Sequence, residues 1–220
     1  MVRCWRPKPA DPDIIVSMAT GIEREMGRVE AFSDGVMAIA VTLLVLGLTV
    51  PAIGSEQSLA SNLAHSWPEY FSYIVSFLVI GIVWMNHHRM FSLLVQVDRT
   101  LIFLNLFLLL WVVALPFTTS LVATYLLHGF DGSVAVAAYS AVSFMMAVGF
   151  TAIWSYATRP GSELLGPDVD PIALRSRTRG FYAGLVVYVF AFGIAFLSAV
   201  AGFILLAATT AYYAFDQLDG

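Results

Sequence analysis

The sequence predicts an all-α integral membrane protein, and three observations support that fold class. Of its 220 residues, 59% are hydrophobic and only 12% are charged, whereas soluble domains are typically about 45–50% apolar and about 25% charged. Several apolar runs reach the roughly 20 residues that a membrane-spanning helix needs. The few Lys and Arg residues lie at the borders of these runs. The length therefore leaves no room for a separate soluble domain.

The segment before the first apolar run has the composition of a short cytoplasmic tail. It contains Pro7, Pro9 and Pro12, and it lacks the apolar core of a secretory signal peptide, which is about 7–15 residues long. We therefore expect a flexible tail over residues 1–23 and a membrane domain over residues 24–220.

The apolar runs predict six membrane spans. Pro51 ends the first run, and polar or charged segments separate the following ones. The break near residues 198–202 is the weakest, so an arrangement of five helices with one long final element is the alternative. The six predicted spans are 28–50, 67–88, 100–124, 134–157, 179–198 and 200–216.

The basic residues orient these spans in the membrane. Cytoplasmic loops collect Lys and Arg, and with six spans and an inside N-terminus all 11 Lys and Arg residues fall on the cytoplasmic side. The predicted outer loops, near 52–66 and 125–133, contain none. Both termini are then cytoplasmic. Nucleic-acid binding is not expected, because the basic residues are not gathered on one soluble face.

The first span begins with ionisable side chains inside an otherwise apolar helix. Residues 28–46 read RVEAFSDGVMAIAVTLLVL. An ionisable group within a span costs roughly 2.5–3.5 kcal/mol on insertion scales, which makes it a functional-site hypothesis by default. At about 100° of rotation per residue, Arg28 and Asp34 are poorly placed to pair with each other. Asp34 therefore needs a partner on a neighbouring helix or in water.

Polar residues at a similar depth in the second and third spans are the candidate partners. They are Trp84, Asn86, His87 and His88 in WMNHHR, and Asn105 on the third span. We expect a buried cluster of Ser33, Asp34, Asn105 and one of the two histidines. It is either interhelical hydrogen bonding that holds the helices together or a direct participant in ion movement or gating. No metal site is predicted, because adjacent histidines diverge by about 100° and no Cys or second carboxylate lies at ligand spacing.

A second group of residues shares one side of the first span. Arg28, Gly35, Ile39, Thr42 and Leu46 lie within roughly 60° of one another, with Leu43 at the edge of this stripe. Taken alone, an apolar stripe on a membrane helix usually faces lipid or another helix. A lone threonine usually bonds back to its own helix.

Three stretches of the chain resemble the transmembrane protein 175 family of potassium channels. The first is Arg28-x-x-x-Phe32-Ser33-Asp34 followed by GVMAIAVTLLVL, the second is WMNHHR, and the third is LPFTTSL at 115–121. The resemblance covers nearly the whole chain from about residue 24. It identifies Arg28, Phe32, Ser33 and Asp34 as a family motif that we expect to belong to the polar network.

The resemblance implies a homotetramer of six-helix subunits in the cell membrane of a prokaryote, with the first helices lining a central pore. It further implies hydrophobic pore rings at Ile39, Leu43 and Leu46, and at Thr42 a hydroxyl layer linked to potassium preference. The expected function is passive conduction of K⁺ with moderate selectivity over Na⁺. The expected partners are other copies of the chain, membrane lipid and K⁺, with no cofactor. The chain has no TVGYG filter loop, so selectivity must come from side chains.

The alternative is a secondary or proton-coupled transporter that uses Asp34 and His87 as a relay. Such transporters usually show internal repeats and broken helices near the middle of the membrane. Neither is evident in the sequence, although Pro116 could break the third span. An enzyme is not expected, since the chain contains no GxSxG, HExxH or Gly-rich phosphate loop.

Overall fold

The computed structural model describes residues 12–52 and 58–218, and its regular elements there are helices. The all-α prediction is thereby confirmed. A four-residue 3₁₀ turn, Leu44–Gly47, follows α1 directly. The helices are α1 Pro12–Leu43, α2 Leu59–His65, α3 Trp67–Phe91, α4 Arg99–Tyr125, α5 Phe130–Ala157, α6 Pro171–Ala195 and α7 Ala199–Leu218.

Four segments of the described chain are long and apolar enough to cross a membrane. They are Arg24–Gly47, Trp67–Phe91, Arg99–Tyr125 and Phe130–Ala157. Two further apolar helical segments, Phe181–Ala195 and Ala199–Phe215, are shorter. The first four segments coincide, to within a few residues, with the first four predicted spans.

The weakest predicted break separates two helices. α6 ends at Ala195, and α7 begins at Ala199 after a short turn. The Ser198 hydroxyl accepts a hydrogen bond from the Ala201 N–H (3.3 Å) at the start of α7. A Cβ atom on Gly202 would lie 3.0 Å from the Cα of Ala195, so the absence of a side chain lets the two helices approach closely. The alternative of one long final helix is wrong.

The beginning of α1 differs from the prediction. The helix starts at Pro12, so residues 12–23 are helical where the sequence predicted a flexible tail; residues 1–11 lie outside the described part of the chain. Proline is well tolerated at the first helical position, because its missing N–H would have no partner there and its fixed φ suits a helix. Pro12 therefore starts the helix and does not interrupt it.

The loop between the first two long apolar segments also contains an unpredicted element. α2 covers Leu59–His65, and the Ser58 hydroxyl caps it by accepting a hydrogen bond from the Ser61 N–H (3.2 Å). Only seven residues long, this helix is too short for a periodic pattern to reveal it in the sequence.

α4 packs against α1, α3 and α5. Gly149 of α5 allows a close approach, since a Cβ atom there would lie 3.1 Å from the Cα of Leu108 on α4. Buried hydroxyls connect three helices: Thr119 of α4 donates to the Ser76 Oγ of α3 (2.7 Å), and this oxygen lies 3.0 Å from the Tyr139 hydroxyl of α5. Interhelical hydrogen bonds of this kind are worth about 0.6–2 kcal/mol in a membrane.

The loop after α3 pairs with the loop after α5. The Val95 N–H donates to the Leu164 carbonyl (2.8 Å), and the Asp98 carboxylate caps α4 at the Leu101 N–H (2.8 Å) and accepts from the Tyr156 hydroxyl (2.6 Å). Desolvation raises the pKa of Asp98, but the hydrogen bonds from Tyr156 and Leu101 outweigh this effect and hold it below its usual value. This pairing connects the C-terminal ends of α3 and α5 to the N-terminal end of α4.

Candidate functional site

α1 has one buried face and one exposed face. Its buried side chains recur every three or four residues, the period of a helix face, and they pack towards α3 and α4. They are Ser33, Met37, Ala40 and Leu44. On the other side, Ile39, Leu43 and Leu46 are 61%, 40% and 76% exposed, respectively. A contiguous apolar surface of this kind is typical of an interaction site or of contact with lipid.

The 3₁₀ turn Leu44–Gly47 changes the directions in which the last side chains of the exposed stripe point. From Ile39 to Leu43, the α-helix rotates the side chain by about 40°. Side chains three residues apart eclipse one another in a 3₁₀ helix, so Leu46 lies nearly in line with Leu43. A continuous α-helix would place Leu43 at the edge of the stripe. In the structure, Leu43 and Leu46 form one continuous apolar line.

The Thr42 hydroxyl is oriented by a hydrogen bond within α1. Its proton is donated to the Ile39 carbonyl, with an oxygen-to-oxygen distance of 2.8 Å. A hydroxyl has one donor and two acceptor lone pairs, so this bond uses the proton and leaves the lone pairs of Oγ1 for another partner. Thr42 is exposed, and its oxygen can therefore accept from water or coordinate a cation.

A chain of buried hydrogen bonds fixes α1 to α3 and α4. His87 Nε2 donates to Asn105 Oδ1 (2.9 Å), Asn105 Nδ2 donates to Ser33 Oγ (2.8 Å), and Ser33 donates to the Val29 carbonyl (2.8 Å). The His87 ring also stacks on Phe91, with ring centroids 4.1 Å apart. Its Nδ1 atom is buried without a hydrogen-bond partner.

Asp34 lies beside this chain but bonds to a different residue. The Trp84 indole N–H donates to Asp34 Oδ1 (2.9 Å). One turn away on each helix, His88 Nδ1 lies 3.0 Å from Glu30 Oε1. The expected cluster therefore brings together Ser33, Asn105 and one histidine, while Asp34 bonds to the tryptophan of the same WMNHHR segment.

The remaining motif residues occupy the surface around this contact. Arg28 and Phe32 are exposed, and Asn86 is half-buried. Among the described residues, no group of three His, Cys, Asp or Glu side chains could hold a metal ion. Pro116 lies inside α4, which runs without interruption from Arg99 to Tyr125.

A second contact that holds this helical segment, not predicted from the sequence, lies just beyond the 3₁₀ turn. Both the N–H and the hydroxyl of Thr49 donate to Glu69 Oε2, at 2.9 Å and 2.8 Å. Ser66 and Glu69 have the spacing of a helix capping box, which was the available signal. Ser66 makes no side-chain cap, however, and Glu69 bonds instead to the segment that follows the 3₁₀ turn.

Comparisons with known proteins agree with one another. Residues 28–116 match the family described as endosomal/lysosomal potassium channel TMEM175. A protein of Streptomyces collinus named as a potassium channel is 45% identical over 194 residues, which cover 88% of this chain and 94% of that protein. One from Chamaesiphon minutus, also named as a potassium channel, is 38% identical over 178 residues, covering 80% of this chain and 87% of that protein.

A solved structure is similar over most of the chain. It is the crystal structure of a lysosomal potassium-selective channel TMEM175 homolog from Chamaesiphon minutus, which superposes with a TM-score of 0.79 at 35% sequence identity. The match covers 88% of this chain and 98% of that one.

Proposed function

The chain belongs to the TMEM175 family of potassium channels, and from that membership we propose that four copies of it form a K⁺ channel in the cell membrane of a prokaryote. Its activity is passive ion conduction and not catalysis. The relatives that support this proposal are similar over nearly their full lengths.

The exposed stripe on α1 is the single observation that carries the proposed pore. Ile39, Leu43 and Leu46 are large apolar side chains left uncovered on a helix whose opposite face is buried against α3 and α4. In a fourfold assembly around this face, each position becomes a ring of four side chains. The three rings then line a narrow apolar passage along the axis.

Conduction through such a passage depends on its width and on the ion's hydration. A hydrophobic constriction dewets when it is narrow, so a ring of Ile39 side chains acts as the gate. Four Thr42 hydroxyls next to it offer lone pairs to a partly dehydrated cation, because the hydroxyl protons are already donated to the Ile39 carbonyls. K⁺ holds its water less tightly than Na⁺, and moderate selectivity for K⁺ follows.

The proposed topology has six spans, with both termini in the cytoplasm. The four long apolar segments are followed by two shorter apolar segments, which lie within α6 and α7. The turn at residues 196–198 divides the last apolar region into a helical hairpin, as an even number of spans requires. The distribution of Lys and Arg supports the same orientation.

The polar contacts at the cytoplasmic end of α1 hold the pore helix in place in this proposal. Ser33, bonded to Asn105, and Asp34, bonded to Trp84, lie on the sides of α1 that contact α4 and α3. Ile39, by contrast, points out of the subunit. The network thus sets the orientation of the pore-lining stripe without contributing to the pore wall itself.

Ion flux in liposomes that contain the purified protein tests the proposed function. With opposed K⁺ and Na⁺ gradients, we expect passive K⁺ flux to exceed Na⁺ flux. Ile39→Asn should increase the leak of both ions, because a polar ring no longer dewets. Ile204→Asn is the matched control, since Ile204 is 56% exposed on α7 and lies outside the proposed pore.

Two results of this experiment would contradict the proposal. Equal leak in both variants would remove Ile39 from the pore. Flux that requires a second ion gradient and disappears in Asp34→Asn would instead indicate a coupled transporter. In the structure, Asp34 and His87 bond to different residues, Trp84 and Asn105, and α4 is continuous through Pro116.

A further inference from the structure

The outer end of the pore-lining region is attached to a carboxylate. Thr49 follows the 3₁₀ turn by two residues, and both of its donors bond to Glu69 Oε2. Glu69 is half-buried, whereas Thr49 is exposed. This carboxylate therefore lies within hydrogen-bonding distance of the chain segment that leaves the proposed pore.

No Lys or Arg lies near Glu69 in the sequence to neutralise the charge of its carboxylate. No Lys or Arg occurs between Arg28 and Arg89, or between Arg99 and Arg159. Glu69 is in the first turn of α3, where the partial positive charge of the helix N-terminus stabilises a carboxylate and offsets only part of its charge. The outer side thus carries negative charge close to the end of α1.

The other histidine and acidic side chains described on the outer side are His65, His128 and Asp131. His65 lies at the end of α2, where its Nδ1 atom is 2.7 Å from the Ser61 carbonyl oxygen. His128, between α4 and α5, contacts the Tyr125 ring edge to face, with ring centroids 6.0 Å apart. Asp131 is in the first turn of α5 and is exposed. Among these three groups and Glu69, only Glu69 has a described hydrogen bond to Thr49, which follows the proposed pore-lining residues.

We propose that Glu69 is the charged residue of the outer pore mouth, where it positions Thr49 and raises the local concentration of cations. The inference rests on the proposed function, because only a fourfold assembly brings four such carboxylates around one axis. Rings of acidic side chains serve this purpose in cation channels. An apolar pore has no charge of its own to attract ions, so the carboxylates at its entrance supply that attraction.

Glu69→Gln separates the charge from the hydrogen bonds. The amide oxygen can still accept from Thr49, but the negative charge is gone. We expect the K⁺ current entering from the outside to fall about two-fold at about 0.01 M ionic strength, where the Debye length is about 30 Å. At about 1 M salt, where it is about 3 Å, the variant and the original protein should conduct equally.

Single-channel recording in planar bilayers, with K⁺ entering from either side, measures this effect. Asp131→Asn is the matched control, because it removes an exposed outer carboxylate that is not bonded to Thr49. Thr49→Val removes the hydroxyl donor but keeps the charge of Glu69, so it should retain the original salt dependence.

The outcomes distinguish this inference from the proposed function. A wild-type protein that conducts K⁺, together with a Glu69→Gln variant that matches it at both salt concentrations, would overturn the role of Glu69 and leave the channel intact. An equal loss in Asp131→Asn would also overturn it, since the effect would then come from total outer charge. A wild-type protein that conducts no K⁺ would contradict the proposed function itself.

Discussion

From Glu30 to Asp34, α1 is held by hydrogen bonds to α3 and α4, whereas from Ile39 to Leu46 it carries a line of exposed apolar side chains. The two regions belong to one continuous helical segment and lie only a few residues apart. In the proposed channel, this difference divides the tasks along α1: the region from Glu30 to Asp34 determines where the helix sits, and the region from Ile39 to Leu46 forms the surface around which subunits assemble. Substitutions in the first should therefore change stability, and substitutions in the second should change conduction.

The largest expected contrast is between Leu44 and Leu46, two residues apart in the 3₁₀ turn. Leu44 is 2% exposed and packs in the core, so Leu44→Ala should destabilise the protein by about 2–5 kcal/mol, as buried Leu→Ala changes do. Leu46→Ala should change stability by less than about 0.5 kcal/mol and increase ion flux. Thermal unfolding in detergent, together with liposome flux, measures both. Equal destabilisation by the two variants would refute the assignment of separate faces.

A smaller effect is expected from the buried hydrogen-bond chain. Asn105→Ala leaves His87 Nε2 buried without its acceptor, which should cost about 1–3 kcal/mol. The neighbouring Leu106, which is exposed, provides the control Leu106→Ala. K⁺ over Na⁺ preference should be unchanged in any Asn105→Ala tetramers that assemble. A changed ion preference with full stability would instead mean that the network acts on the permeating ion directly.

The smallest effect is expected at the exposed contact between Glu30 and His88. Glu30→Gln removes the charge that faces His88 Nδ1 at 3.0 Å, and exposed ion pairs contribute about 0–1 kcal/mol. The loss should be largest at low salt and should disappear near 1 M, where the Debye length is about 3 Å. The unfolding temperature at several salt concentrations measures it. A loss as large as that of Asn105→Ala would contradict the ranking of the two contacts.

Much of the hydrogen-bonded cluster around Ser33 could be predicted from the sequence, because residues near the same border of the predicted spans share a depth. That argument brought Ser33, Asn105 and a histidine together. It did not identify Trp84 as the partner of Asp34, since the choice among residues at one depth depends on how each helix is rotated about its axis. The spacing of residues along one helix does not reveal how that helix is rotated relative to its neighbours.

Other features depended on local geometry that composition does not reveal. Three prolines suggested a flexible tail, yet Pro12 occupies the one helical position that suits proline. The change from α to 3₁₀ geometry at Leu44 moved Leu43 into line with Leu46. The contact between Thr49 and Glu69 joins residues on either side of an outer loop, and only the folded arrangement of α1 and α3 brings them together.

The most direct test of the pore is the chemical modification of one exposed position on α1. In a Cys4→Ser background, Leu46→Cys should react with a cationic, membrane-impermeant thiol reagent that is added from the outside. The K⁺ current should then fall sharply, because bound positive charge obstructs and repels cations on the axis. Ile204→Cys is the control, and its current should not change. If mass spectrometry shows complete modification of Leu46→Cys while the K⁺ current is unaffected, α1 does not line the pore.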